Sequence, residues 1–131
     1  MKQFVRVIIE AVPNKYLLMR EVRDNFREND VWNFPGGTVE PNEDPSVTAA
    51  RELTEETNLN ACEIGLILEA ELTFSGEMWR GHWYAASADF SEFKIMEPNK
   101  CIEYAVLSAD EMRTKNISSA VQIVLDNGLL V

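Results

Sequence analysis

The chain has 131 residues, 46% of them hydrophobic, and a formal net charge of −10. That length suits one compact domain over residues 1–131, with a core that needs no disulfide or structural metal, and the charge argues against a broad basic surface for bulk nucleic acid. No apolar run approaches the ~18–20 residues of a membrane span, and Cys62 and Cys101 match no metal-ligand or redox spacing, which points to a reduced, cytoplasmic protein whose free thiols pack.

Lys2 and Arg6 interrupt the apolar residues Phe4, Val5, Val7, Ile8 and Ile9, so the start reads as a strand rather than a signal peptide. The β-branched pattern runs from Phe4 to Val12, breaks at Pro13-Asn14 and resumes over Tyr16–Met19, which predicts a hairpin or strand pair. Glu21 to Asp30 is charged without a clear period and reads as a loop long enough to close over a substrate. A short strand at Val31-Trp32-Asn33-Phe34 is stopped by Pro35-Gly36-Gly37. Asp44 as N-cap and Pro45 at the first helical position open a helix to about Thr57, closed by Asn58, which tolerates the left-handed conformation. Strands follow at Ala61–Phe74, Gly81–Ala88 and Ile102–Leu107, with a turn at Ser75-Gly76. Ser108 caps a helical turn through Met112, and Ser118 or Ser119 opens a last helix through about Asp126, closed by Gly128. This irregular alternation predicts an α/β fold with a mixed sheet between helices on both faces.

The chemistry concentrates on the first long helix. At ~100° per residue, Glu52, Glu55 and Glu56 share one arc of roughly 100°. Val47, Ala50 and Leu53 form the expected buried stripe, with the three acids pointing away from it. Their mutual repulsion costs only a few tenths of a kcal/mol per pair, so by themselves they fit an ordinary solvated face. Gly36-Gly37 lets the backbone turn tightly and aim carbonyl oxygens at the helix, and hard cations such as magnesium prefer oxygen ligands. Glu43 is placed to take the Arg51 guanidinium in a bidentate pair, making both residues scaffolding.

Gly37, five residues, Glu43, seven residues, then Arg51-Glu52-Leu53-Thr54-Glu55-Glu56-Thr57-Asn58-Leu59 resembles the Nudix box, with Asn58 in place of the family's glycine. The resemblance implies the Nudix α/β/α sandwich. It also implies that Glu52, Glu55, Glu56 and the Gly36 carbonyl bind Mg2+, with Mn2+ as a substitute, and that water is activated for attack on a diphosphate. The segment Met96-Glu97-Pro98-Asn99-Lys100-Cys101-Ile102-Glu103 resembles the downstream stretch of MutT-like members that supplies a further glutamate. Glu97 is the first choice for that ligand or base and Glu103 the second. Asn116 resembles the position of a base-reading asparagine in MutT-like proteins. Homodimers are common in the family, although no interface is identifiable from these residues.

For the rest of a nucleotide-like substrate, Trp32, Phe34 and Trp83 are candidates for stacking on a ring, beside Phe74, Trp79 and Tyr84. Arg20, Arg23, Arg27 and Arg80 are candidates for phosphate oxygens. His82 is assigned no role. The leading expectation is a nucleoside triphosphate cut to monophosphate and pyrophosphate. The alternatives are hydrolysis of nucleoside diphosphate-linked compounds such as nucleotide sugars or ADP-ribose, a non-catalytic nucleotide-binding regulator, and a generic acidic cation-binding domain.

Overall fold

β1 (Lys2–Val12) alternates between two buried environments. Phe4 and Ile8 enter one core cluster, while Val5, Val7 and Ile9 enter another on the opposite face. A strand apolar on both sides needs a cover on both sides. The computed structural model, which describes residues 1–22 and 30–130, supplies it: α1 (Pro45–Thr57) lies over one face, and α2 (Ala109–Met112) with α3 (Ser119–Asp126) lies over the other. The expected sandwich of helices around a mixed sheet is present.

β1 runs parallel to β6 (Glu77–Ser87), which pairs antiparallel with β5 (Glu63–Phe74) at one edge. On its other side β1 meets β2 (Lys15–Glu21) only near the hairpin end, at Glu10↔Tyr16 and Val12↔Lys15. The two strands then splay. β4 (Gly36–Thr38) fills the opening along β1 and β3 (Val31–Asn33) fills it along β2, whose far side pairs with β7 (Cys101–Leu107).

Local signals account for most boundaries. Asn14 has φ 62° in the β1–β2 turn, and Ser75 and Gly76 have φ 45° and 77° in the tight β5–β6 turn, the left-handed pair that matches hairpin twist. Asp44 accepts from the Ser46 N–H, Pro45 opens α1, and Asn58 closes it at φ 63°. Gly36 and Gly37 are strand residues of β4 rather than a simple stop, because their backbone pairs with β1. β6 begins at Glu77, four residues before the expected Gly81, extending the hairpin to its turn.

The rotation of α1 differs from expectation. Val47 is 56% exposed, and the face toward the sheet carries Thr48, Ala49, Leu53, Glu56 and Thr57. Leu53 and Leu59 are fully buried, and at about 1.5–3 kcal/mol each their burial is enough to fix that rotation. It carries Glu56 inward with them, to 7% exposure. Cys101 is buried as expected, whereas Cys62 is exposed. No helix among the described residues is long and apolar enough to cross a membrane.

Candidate active site

Where β1 and β2 part, β4 packs beneath α1. The Val7 N–H donates to the Pro35 carbonyl and the Val39 N–H to the Gln3 carbonyl, 2.7 and 3.0 Å. Antiparallel alternation therefore turns both polar groups of Gly36 away from β1. Its N–H donates to Glu56 Oε1 at 3.1 Å, so its carbonyl faces the same side. A Cβ at Gly36 would lie 2.0 Å from the Val5 carbonyl oxygen, so Gly36→Ala is expected to cost about 1–3 kcal/mol of stability, read by denaturant unfolding. At Gly37 a Cβ would instead meet the Glu52 carboxylate at 2.5–2.7 Å. Gly37→Ala should leave more stability intact yet displace Glu52 and lower turnover about 10-fold or more.

Glu43 and Arg51 form the expected bidentate pair, Arg51 Nε to Glu43 Oε2 at 2.9 Å and Nη2 to Oε1 at 3.0 Å. Arg51, joined by Thr48 Oγ1 and the Glu40 N–H donating to the same carboxylate, pulls it down to a pKa of about 2. Arg51 also reaches Glu52 at 3.0 Å and Glu55 at 3.2 Å. One guanidinium thus anchors the loop and gathers two of the three helix glutamates.

The three acids sit in different surroundings. Glu55 is half exposed. Burial raises the Glu52 carboxyl, helped by the charges of Glu55 and Glu97 against that of Arg51. Burial pushes Glu56 up to about 8, with the Glu21 charge adding to it and Arg6 and the Gly36 N–H opposing it. Glu97 joins this group because its segment is pinned to the end of α1: Lys94 N–H donates to the Thr57 carbonyl and Met96 N–H to the Glu56 carbonyl, 3.0 and 3.2 Å. Glu97 lines a cavity of about 10 Å3 with Glu21, Glu56, Met19, Lys100 and Cys101.

Glu103 is not brought to this group. Register sets it opposite Arg20, with Ala105 opposite Leu18 and Leu107 opposite Tyr16, all on the α2–α3 face. Its carboxylate takes Arg20 Nη1 at 2.8 Å, and Arg20 also holds Asp30. Asn116 lies near this second cluster, donating to the Asp30 carbonyl, while its own carbonyl takes the Trp32 N–H. Trp32 is 9% exposed with Lys115 over its ring. Phe34 and Trp83 are fully buried, Trp83 donating to the Ala120 carbonyl, so both are core residues rather than stacking surfaces. Arg80 is engaged by Glu69 and Glu71 on β5. Arg23 and Arg27, with the middle of the expected substrate loop, lie outside the described residues.

Two residues of the site had no role in the sequence reading: Arg6 and Glu21. For Arg6 the signal was present. A charged residue inside a strand apolar on both faces has no solvent side and requires a buried partner.

Asn58 performs the turn that glycine performs in the box, and its side chain donates to the Glu92 carbonyl at 3.0 Å. Asn58→Ala should cost about 1–2 kcal/mol, whereas Asn58→Gly, trading that hydrogen bond for backbone ease, should fall within about 1 kcal/mol of the parent in thermal unfolding.

Among the described residues no three acidic side chains are gathered tightly enough to hold one ion. Arg51 draws Glu52 and Glu55 toward itself, and the Gly36 N–H holds Glu56. The donor chemistry still fits a hard divalent cation: oxygen ligands on rotatable side chains along one stretch of helix, beside a backbone carbonyl. Space over Glu52 is kept open by the missing Cβ of Gly37.

Comparison with known proteins agrees with this geometry. An RNA pyrophosphohydrolase of Rhodopseudomonas palustris (strain BisB18) is 37% identical over 90 residues, covering 57% of this chain and 51% of that protein. Nudix hydrolase 25 of Arabidopsis thaliana is 27% identical over 109 residues, covering 57% and 62%. The chain thus spans about half to three-fifths of these curated relatives. Among solved structures, a MutT NUDIX hydrolase from Burkholderia pseudomallei superposes with TM-score 0.85 at 23% identity over 95% of each chain. The MutT protein from Methanosarcina mazei Go1 gives 0.82 at 20% identity over 96% of this chain and 91% of its own. At such identities these two likenesses establish the fold alone. The NUDIX domain family matches residues 2–125, and on that span the chain belongs to the Nudix family.

Proposed function

We propose that the protein hydrolyses a diphosphate linkage in a nucleotide in a magnesium-dependent reaction, with a nucleoside triphosphate cut to monophosphate and pyrophosphate as the leading substrate class. The observation that supports this reading is that Glu97, from a distant segment, lines one cavity with Glu56 of α1, whose carboxylate accepts the Gly36 N–H. Glu52, Glu55, Glu56 and the Gly36 carbonyl would hold the cation, with Mn2+ as a substitute. When bound, it supplies positive charge to the phosphates and acidifies a water. Arg51 and Glu43 fix the loop against the helix, and the Glu97 carboxylate takes the proton of the attacking water. Attack on phosphorus forms one P–O bond as the bridging P–O bond breaks, and pyrophosphate leaves.

The name RNA pyrophosphohydrolase on several relatives favours a second reading, a triphosphate carried at the 5′ end of RNA. The net charge of −10 disfavours a long contact with the polymer, so only the terminal nucleotides would be engaged. Product identity over nucleoside triphosphates, 5′-triphosphorylated oligonucleotides, nucleotide sugars and ADP-ribose tests the proposal. Pyrophosphate release from the first two classes is expected. Two monophosphates from a diphosphate-linked compound would move the substrate to the alternative class. Wild-type inactivity with tight nucleotide binding would favour a regulator.

A further inference from the structure

Arg6 stands mid-strand on β1, between residues committed to the two cores. Its side chain is 11% exposed and that of Glu21 9%, with Arg6 Nη1 to Glu21 Oε1 at 3.4 Å. The same nitrogen donates to the Phe34 carbonyl at 3.1 Å, on the chain entering Pro35-Gly36. Arg6 Nε is buried with no hydrogen-bond partner among the described residues. Glu21 and Glu56 line the same cavity of about 10 Å3, which has room for about one water.

The Arg6 guanidinium therefore pairs with one of the two carboxylates, Glu21 and Glu56, that line the cavity. Its contact with Glu21 is longer than the ~2.7–2.9 Å of a tight charge-assisted pair, and its Nε is uncommitted. Without the Glu21 charge, that guanidinium would turn to Glu56, a proposed cation ligand, and compete with the cation. Without Arg6, the two carboxylates would face each other unscreened across the cavity.

We propose that Arg6 and Glu21 are a positioning pair of the cation site: Glu21 holds the guanidinium off Glu56, and Arg6 screens the Glu21 charge from Glu56. The inference rests on the metal-dependent reading above. Loss of such support around metal ligands typically weakens metal affinity by about 10–100-fold.

The test measures Mn2+ binding to the substrate-free protein by calorimetry, and the Mg2+ dependence of turnover, in wild type, Glu21→Gln, Arg6→Lys and the double variant Arg6→Gln/Glu21→Gln. Glu21→Gln should weaken Mn2+ binding about 10–100-fold and raise the half-saturating Mg2+ by a similar factor, with kcat recovering to within a few-fold at high Mg2+. The double variant should regain most of the lost affinity, because the competing cation is gone. Arg6→Lys, keeping the charge, should stay close to wild type.

A folded Glu21→Gln that binds Mn2+ like wild type overturns the proposal. So does a double variant weaker than Glu21→Gln, or a Glu21→Gln turnover loss that high Mg2+ does not rescue, since a merely structural defect does not respond to the cation concentration. Should Glu21→Gln fail to fold, Glu21→Asp decides, since it keeps the charge but shortens its reach to the guanidinium: Mn2+ affinity weakened more than about 3-fold supports the proposal, and affinity within about 3-fold of wild type overturns it. Wild type that binds Mn2+ but turns over no nucleotide would sink the functional reading while leaving the binding comparison to judge this one.

Discussion

Glu56→Gln is expected to abolish magnesium-dependent turnover, with at least about a 100-fold loss, and to make the metal-free protein more stable at pH 8 than wild type. Both effects come from one burial. Glu56 is 7% exposed, and the lost hydration together with the Glu21 charge raises its pKa from near 4.5 to about 8. The folded chain keeps the proton to about pH 8, while the unfolded chain releases it near 4.5. In that window the unfolded state binds fewer protons, so metal-free stability falls as pH rises. Glutamine occupies the same space without the charge. Its unfolding temperature should lack that slope and exceed wild type by at least about 3 °C at pH 8. Bound magnesium should narrow the gap by stabilising wild type alone. Parallel pH profiles for the two proteins would mean that Glu56 is not buried as an acid.

Glu97→Gln should reduce kcat by about 100-fold or more, the usual contribution of a positioned base, with wild-type unfolding behaviour. Glu103→Gln should leave turnover within about 2-fold. The contrast follows from placement: Glu97 shares a cavity with Glu56, whereas Glu103 is held by Arg20 on the opposite face of the sheet. Kinetics of the two variants under saturating magnesium decide it. A larger loss in Glu103→Gln would reassign the base to the Arg20–Asp30 cluster.

How far these features could be read in advance depended on the range of the forces involved. Asp44, Pro45, Asn58 and Ser75-Gly76 were legible because capping and left-handed turns are settled within a few residues of the chain. The Glu43–Arg51 pair was legible from its spacing around the start of α1. The inward turn of Glu56 was not, since the helix rotation is chosen by Leu53 and Leu59 packing on strands far along the chain. Glu97 and Glu103 remained alternatives because the β2–β7 register assigns Glu103 its face and backbone bonds to the end of α1 place Glu97, both over long range. Phe34 and Trp83 looked available for stacking because an aromatic in a short strand carries no local sign of which cover it lies beneath. Arg6 called for the reverse inference: with apolar neighbours committed to both faces, its charge had to be answered inside the protein.

The parting of β1 from β2 divides the labour of the molecule. α1 and β4 pack with β1, while β3, β7 and the Glu97 segment belong to the β2 side, joined to β1 directly by one short hairpin. The proposed cation ligands thus stand on one flank of a seam, and the opposite flank meets it through the two shared cores and the Arg6–Glu21 pair. Evolution, or a designer, has a natural place to cut and graft there, provided Lys94–Glu97 keeps its grip on the end of α1.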